Sequence, residues 1–135
     1  MTNEEKIALL KEIARPLAKA HLEKVAILLK AYHPDITPTL TETLRTKEQQ
    51  QLYFSTGKSK APPGSSPHEY GLAWDICLIK DKKMLPDRHQ AWHVIPFAAG
   101  AIGKGQLTSG ADFFSIRDFP HTEMRNWKEL KDGGT

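Results

Sequence analysis

Apolar residues recur at helical spacing from the start of the chain. Thr2 followed by Glu5 forms a capping box that opens a helix, and Ile7, Leu10, Ile13 and Ala14 continue it. Pro16 breaks or kinks this helix, or opens a second one at its first position. Leu17, His21, Leu22, Val25, Leu28, Leu29 and Tyr32 then extend one amphipathic stripe, which Pro34 and Pro38 end. Thr39 to Arg45 alternates and is rich in threonine, which predicts a strand with Arg45 on the face of Thr39, Thr41 and Thr43. Thr46 and Gln49 make a second capping box, opening a short helix through about Phe54.

Residues 55–67, rich in Gly, Pro, Ser and Lys, read as a loop long enough to suggest function. Leu72 to Ile79 reads as a central strand, with Trp74, Ile76 and Leu78 on one face and Ala73, Asp75 and Cys77 on the other. A turn is expected from Asp81 to Pro86, and a helix from Arg88 to Ala101 with a kink at Pro96. Gly100 to Gly110 reads as a glycine-rich loop, His121 to Trp127 as a last strand, and Lys131 to Thr135 as a frayed tail. Helices first, then strands interrupted by helices, predict an α+β fold: a small antiparallel sheet with the N-terminal helices packed against it.

Composition narrows the class. The 135 residues, 39% hydrophobic and 26% charged, suit one globular domain, expected to be a single catalytic unit over 1–135 with no appended binding domain. Cys77 is the single cysteine, which excludes an internal disulfide framework, and its apolar setting predicts a buried, inert thiol. Charged residues crowd the first turns, so no signal-peptide core is present and no stretch is apolar enough to enter a bilayer. Synthesis in the cytoplasm, with another route to any target outside it, is expected. The net charge is +3, but the basic residues are scattered among acids, which argues against nucleic-acid binding and at most favours an anionic polymer. A monomer is expected.

Candidate chemistry concentrates in two places. His68 and Asp75 lie seven residues apart, with Gly71 between them to turn the chain, and His121 lies beyond Pro120. A loop ending at His68, a strand carrying Asp75 and a neighbouring strand carrying His121 would gather two imidazoles and a carboxylate around one Zn²⁺, leaving a fourth position for water. Asp118, three residues before His121, is placed to act as base on that water, and Arg45 is a cation for an oxyanion or a substrate carboxylate. Glu123 either orients a ligand histidine or faces solvent. His89 and His93, four apart, echo the zincin pattern, but Gln90 stands where that chemistry needs a glutamate, so an ordinary helix is expected there. His21 and His33 have no ligand-like neighbours. Trp74 reads as core, and Trp92 and Trp127 as core or groove lining.

Taken together these residues resemble a known family. Ser66-x-His68-x-x-Gly71-x-Ala73-x-Asp75 resembles the signature of the VanY-type peptidases of the M15 group. That group comprises D-alanyl-D-alanine carboxypeptidases and dipeptidases and phage L-alanyl-D-glutamate endolysins, and it shares its fold with the hedgehog signalling domain. Leu44, Arg45 and Thr46 with Gln49 or Gln50 are similar to the family's arginine-bearing segment, Pro63 and Gly64 precede the signature, and Asp118-x-Pro120-His121-x-Glu123 resembles the closing motif. The resemblance spans about Leu40 to Trp127. Where relatives carry Trp-Gly-Gly-Asp-Trp, this chain has Ser109, Gly110, Ala111, Asp112 and Phe113.

The resemblance implies a hedgehog/DD-peptidase-like fold, His68, Asp75 and His121 as ligands of one zinc ion, Asp118 as general base, and Arg45 and Ser66 as substrate contacts. It implies a zinc peptidase of bacterial peptidoglycan. The aspartate at 118, the short chain and the missing signal peptide point to the phage endolysin branch, cutting between L-alanine and D-glutamate and reaching the wall of a lysing host after the membrane is breached. A D-alanyl-D-alanine carboxypeptidase and a non-catalytic zinc-stabilised binding module are the alternatives.

Overall fold

The computed structural model describes residues 1–113 and 117–132. Helix α1 (Asn3–Ala8) starts at the Thr2/Glu5 capping box, and α2 (Arg15–Tyr32) carries Pro16 in its first turn, where its missing N–H costs no hydrogen bond. Ala18, His21, Val25 and Leu29 form the buried stripe of α2, while Tyr32 at its end is exposed. Strand β1 (Thr37–Glu42) starts two residues earlier than expected and stops before Arg45, and Pro38 is tolerated because β1 is an edge strand. Helix α3 (Lys47–Ser55) opens at the Thr46/Gln49 capping box.

The sheet is built on β2 (Ala73–Lys80), with β1 on one side and β5 (His121–Met124) on the other, and β4 (Leu107–Ser109) outside β5. All pairings are antiparallel. A two-residue strand β3 (Lys83–Met84) folds back on the far end of β2. The turn that joins them has Asp81 and Lys82 at positive φ, so a hairpin stands where a plain turn was expected.

One sheet face is the core. Trp74, Ile76 and Leu78 of β2 are fully buried and belong to one apolar cluster with Leu40, Val25, Leu29 and Ile95. Helix α2 packs against β1 and against α4 (Val94–Gly103), which follows a 3₁₀ turn at Gln90–His93. The single long helix expected from Arg88 is therefore two pieces. Pro96 lies in the first turn of α4, where helix N–H groups lack partners anyway, rather than in the interior of one long helix. Trp92 and Trp127, the latter in a last helical turn α5 (Trp127–Leu130), are both buried. Helix α1 covers the open edge of β1: Lys6 Nζ donates to the Leu40 carbonyl at 2.6 Å, and Leu40 N–H donates to Asn3 Oδ1 at 3.2 Å.

The glycine-rich segment expected as loop holds the end of α4, strand β4 and a 3₁₀ turn at Gly110–Asp112. Strand β5 is shorter than expected, ending at Met124. The expected fraying of the tail falls largely on residues 133–135, outside the described residues. No helix among the described residues is long and apolar enough to cross a membrane.

Candidate metal centre

The second face of β2 carries the polar cluster. Asp75 is register partner to His121, so both side chains leave the sheet on the same side. Ala73 pairs with Glu123 on that same face, and the small alanine leaves room for the glutamate beside His121. A bulge in β1 between Leu40 and Glu42 sets Glu42 rather than Thr41 opposite Asp75.

His68 comes from the 3₁₀ turn Pro67–Tyr70. Ser66 caps that turn, its Oγ accepting from His68 N–H at 3.3 Å, while the Glu69 carboxylate accepts from the backbone N–H of Ser66 and Gly64. Gly71 ends the turn at φ 68°, and a Cβ there would lie 2.7 Å from the Lys11 backbone nitrogen. Glycine is thus required by both conformation and close approach.

Among the described residues, His68, Asp75 and His121 form the group able to hold a metal ion, with donor atoms within 4.8 Å of one another. Asp75 Oδ1 lies 3.2 Å from His68 Nε2 and 3.2 Å from His121 Nδ1. Donors around tetrahedral zinc stand about 3.3 Å apart, so these separations match. The outer ring nitrogens are both engaged. His68 Nδ1–H donates to the Thr43 carbonyl at 3.0 Å and His121 Nε2–H donates to Glu123 Oε1 at 2.8 Å. The inner nitrogens, Nε2 of His68 and Nδ1 of His121, are thereby left for the ion.

The electrostatics agree with a cation site. Burial opposes charge on Asp75, but hydrogen bonds from His121 and His68 overcome it and hold the carboxylate well below its usual range. Burial also opposes charge on His121, yet hydrogen bonds to Asp75 and Glu123 raise its pKa to about 9. The carboxylates of Asp75 and Glu123, which stabilise positive charge on His121, would equally stabilise a divalent cation in place of its proton. The donor set of two imidazoles and one carboxylate fits Zn²⁺.

Asp118 stands on the segment entering β5, its surface open to solvent. Desolvation by surrounding atoms and repulsion from Asp75 push its pKa up, offset in part by His121, His68 and Arg45. Its backbone is pinned to Gly110, with Asp118 N–H donating to the Gly110 carbonyl at 2.8 Å. A Cβ on residue 110 would collide with the Asp118 carbonyl oxygen. That is the physical reason for a glycine at this position.

Arg45 is buried beside this cluster rather than aligned along β1. Its Nε donates to Glu42 Oε1 at 2.6 Å, its Nη1 donates to Gln50 Oε1 at 2.6 Å, and its guanidinium lies 4.8 Å from the Tyr53 ring centre. Its charge is felt by both Asp75 and Asp118. Ser66 is buried and engaged in capping. Cys77 is only partly buried, on the face of Asp75, with Sγ 3.5 Å from Thr41 Oγ1. Burial pushes its thiol pKa up, which keeps it protonated and unreactive.

Of the two readings left open for Glu123, the structure shows the first: it binds His121, which lies on the same face of β5. One residue has a role that the sequence did not suggest. His21 is fully buried, with Nε2–H donating to the Ile95 carbonyl and Nδ1 accepting from Trp74 Nε1–H, each at 2.9 Å. Among the described residues His89 and His93 belong to no group able to hold a metal ion: His89 Nδ1 accepts from Ala91 N–H at 3.0 Å and His93 packs edge-on against Phe119.

At the level of sequence no family profile and no curated protein matches the chain. Solved structures do. The L-Ala D-Glu endopeptidase ChiX of Serratia marcescens superposes with a TM-score of 0.66 at 18% identity, covering 98% of this chain and 90% of its own. The zinc complex of a variant of the vancomycin-resistance D,D-pentapeptidase VanY gives 0.53 at 17% identity, covering 93% and 79%. The LD-carboxypeptidase LdcB gives 0.51 at 21% identity, covering 98% and 75%. The helices, the small antiparallel sheet and these likenesses agree with the motifs: the chain has the fold of the VanY-type zinc peptidases.

Proposed function

We propose that the chain is a zinc-dependent peptidase of bacterial peptidoglycan that cleaves the L-alanyl-D-glutamate bond of the stem peptide. The observation that carries the reading is the convergence of His68, Asp75 and His121, with both outer ring nitrogens already bound. These three residues would hold one zinc ion, which supplies Lewis-acid polarisation of the scissile carbonyl and an activated water at neutral pH. Asp118, with its raised pKa, takes the proton of the attacking water and passes it to the leaving amine. Arg45, held by Glu42 and Gln50, provides positive charge for the oxyanion or for a stem carboxylate. Ser66 acts on substrate indirectly, by fixing the turn that presents His68.

The likeness to an L-Ala D-Glu endopeptidase over nearly the whole of both chains favours this bond, as does an aspartate at the position of the base. That aspartate also favours the phage endolysin branch, whose members act on the host wall. A second reading, a D-alanyl-D-alanine carboxypeptidase, is supported by the likeness to a D,D-pentapeptidase. Mass spectrometry of digested peptidoglycan separates them. Stem peptides beginning with D-glutamate support the endopeptidase, and loss of a terminal D-alanine alone supports the carboxypeptidase. No product from protein that holds zinc would leave a binding module.

A further inference from the structure

A cleft of about 350 Å³ opens beside Asp118, and none of the three candidate ligands lines it. Trp92, Phe119 and Met84 give it apolar walls, and Arg117 and Asp87 line it with opposite charges. Its walls are fixed: Trp92 Nε1–H donates to the Pro86 carbonyl at 2.9 Å, and His93 packs on Phe119 with ring centres 5.0 Å apart. Arg117 and Asp87 are exposed, and among the described residues neither forms a salt bridge with the other or with a third group. Two opposite charges that line one cleft without pairing suit a ligand that is itself zwitterionic and brings an anion to Arg117 and a cation to Asp87.

The reading of the chain as a stem-peptide endopeptidase, on which this inference rests, says which part of the substrate enters. Asp118 hands its proton to the leaving amine, so the leaving side of the peptide lies on Asp118's side of the site, where the cleft is. Beyond D-glutamate on that side comes the diamino acid of the stem, whose side chain is an aliphatic arm ending either in an amine alone or in an amine and a carboxylate. We propose that this cleft is the subsite for the third stem residue, and that Arg117 and Asp87 together select the diamino acid bearing both charges, meso-diaminopimelate, over L-lysine.

Steady-state cleavage of two synthetic stem tetrapeptides tests this, one with meso-diaminopimelate and one with L-lysine at the third position, using zinc-loaded wild type, Arg117→Gln, Arg117→Lys and Asp87→Asn. A charge-assisted hydrogen bond accounts for roughly a tenfold effect or more. Arg117→Gln should raise KM about tenfold for the diaminopimelate peptide and little for the lysine peptide, with kcat kept and Arg117→Lys restoring part of the preference. Asp87→Asn should raise KM for both, since both carry the amine. Equal effects of Arg117→Gln on the two peptides, or none, overturn the subsite while leaving the endopeptidase intact. Failure of wild type to cut either peptide between L-alanine and D-glutamate overturns the endopeptidase reading, and the subsite with it.

Discussion

Glu123 and His121 stand two residues apart on β5 and meet through a 2.8 Å hydrogen bond from His121 Nε2–H to the glutamate carboxylate. The bond fixes the ring so that Nδ1 faces Asp75. Partners of this kind typically contribute 10- to 100-fold in metal affinity, at roughly that order of magnitude. Glu123→Ala is expected to weaken zinc binding by about 10- to 100-fold while the far-ultraviolet circular dichroism stays native. Competition with a chromophoric chelator measures this, and an unchanged Kd would reduce Glu123 to a surface residue.

Gly110 positions Asp118 by letting two backbone segments touch. Gly110→Ala must push the Asp118 segment away, because the new Cβ would occupy the place of the Asp118 carbonyl oxygen. A misplacement of about 1 Å costs on the order of 10²-fold in rate. The expected result is a zinc content equal to wild type with kcat lowered by about that factor. Wild-type kcat in this variant would show that Asp118 has no fixed post to keep.

How much of this was legible in the sequence depends on the range of each interaction. The capping boxes at Thr2 and Thr46 and the alternation of β2 are local patterns, and they appear as read. Strand β4 has three residues set among glycines, too few for alternation to show, and the β2–β3 hairpin turns on Asp81 and Lys82 at positive φ, where glycine or asparagine is the usual signal. The bulge that seats Glu42 opposite Asp75 leaves no local mark, so Arg45 was placed on a strand that ends before it. The three candidate ligands were legible because motif order fixes them. The partner of His21 lies 53 residues away, and nothing near His21 in sequence announces it.

His21 gives the fold a pH dependence of known sign. Burial lowers its pKa from 6.5 to about 4, against a smaller opposing effect of its bond to the Ile95 carbonyl. The folded state therefore binds fewer protons than the unfolded state between these values, and stability rises with pH across that window. The contribution is present above about pH 6.5 and is lost as pH falls towards 4, amounting to about 2 kcal/mol between pH 7 and pH 5. Urea unfolding at those two pH values should show wild type losing about that much more than His21→Gln, and equal losses would mean that His21 is not neutral in the fold.

The account rests on one zinc ion and one base, and a single comparison tests both. Purified peptidoglycan is digested with wild type, His121→Ala and Asp118→Ala after zinc loading, with bound zinc and released amino groups measured on the same samples. Wild type is predicted to hold one zinc per chain and to cleave. His121→Ala should lose both zinc and cleavage, and Asp118→Ala should keep its zinc while its rate falls by about 10²- to 10⁴-fold. Undiminished cleavage by zinc-loaded Asp118→Ala, or cleavage by wild type that survives removal of the metal, would contradict it.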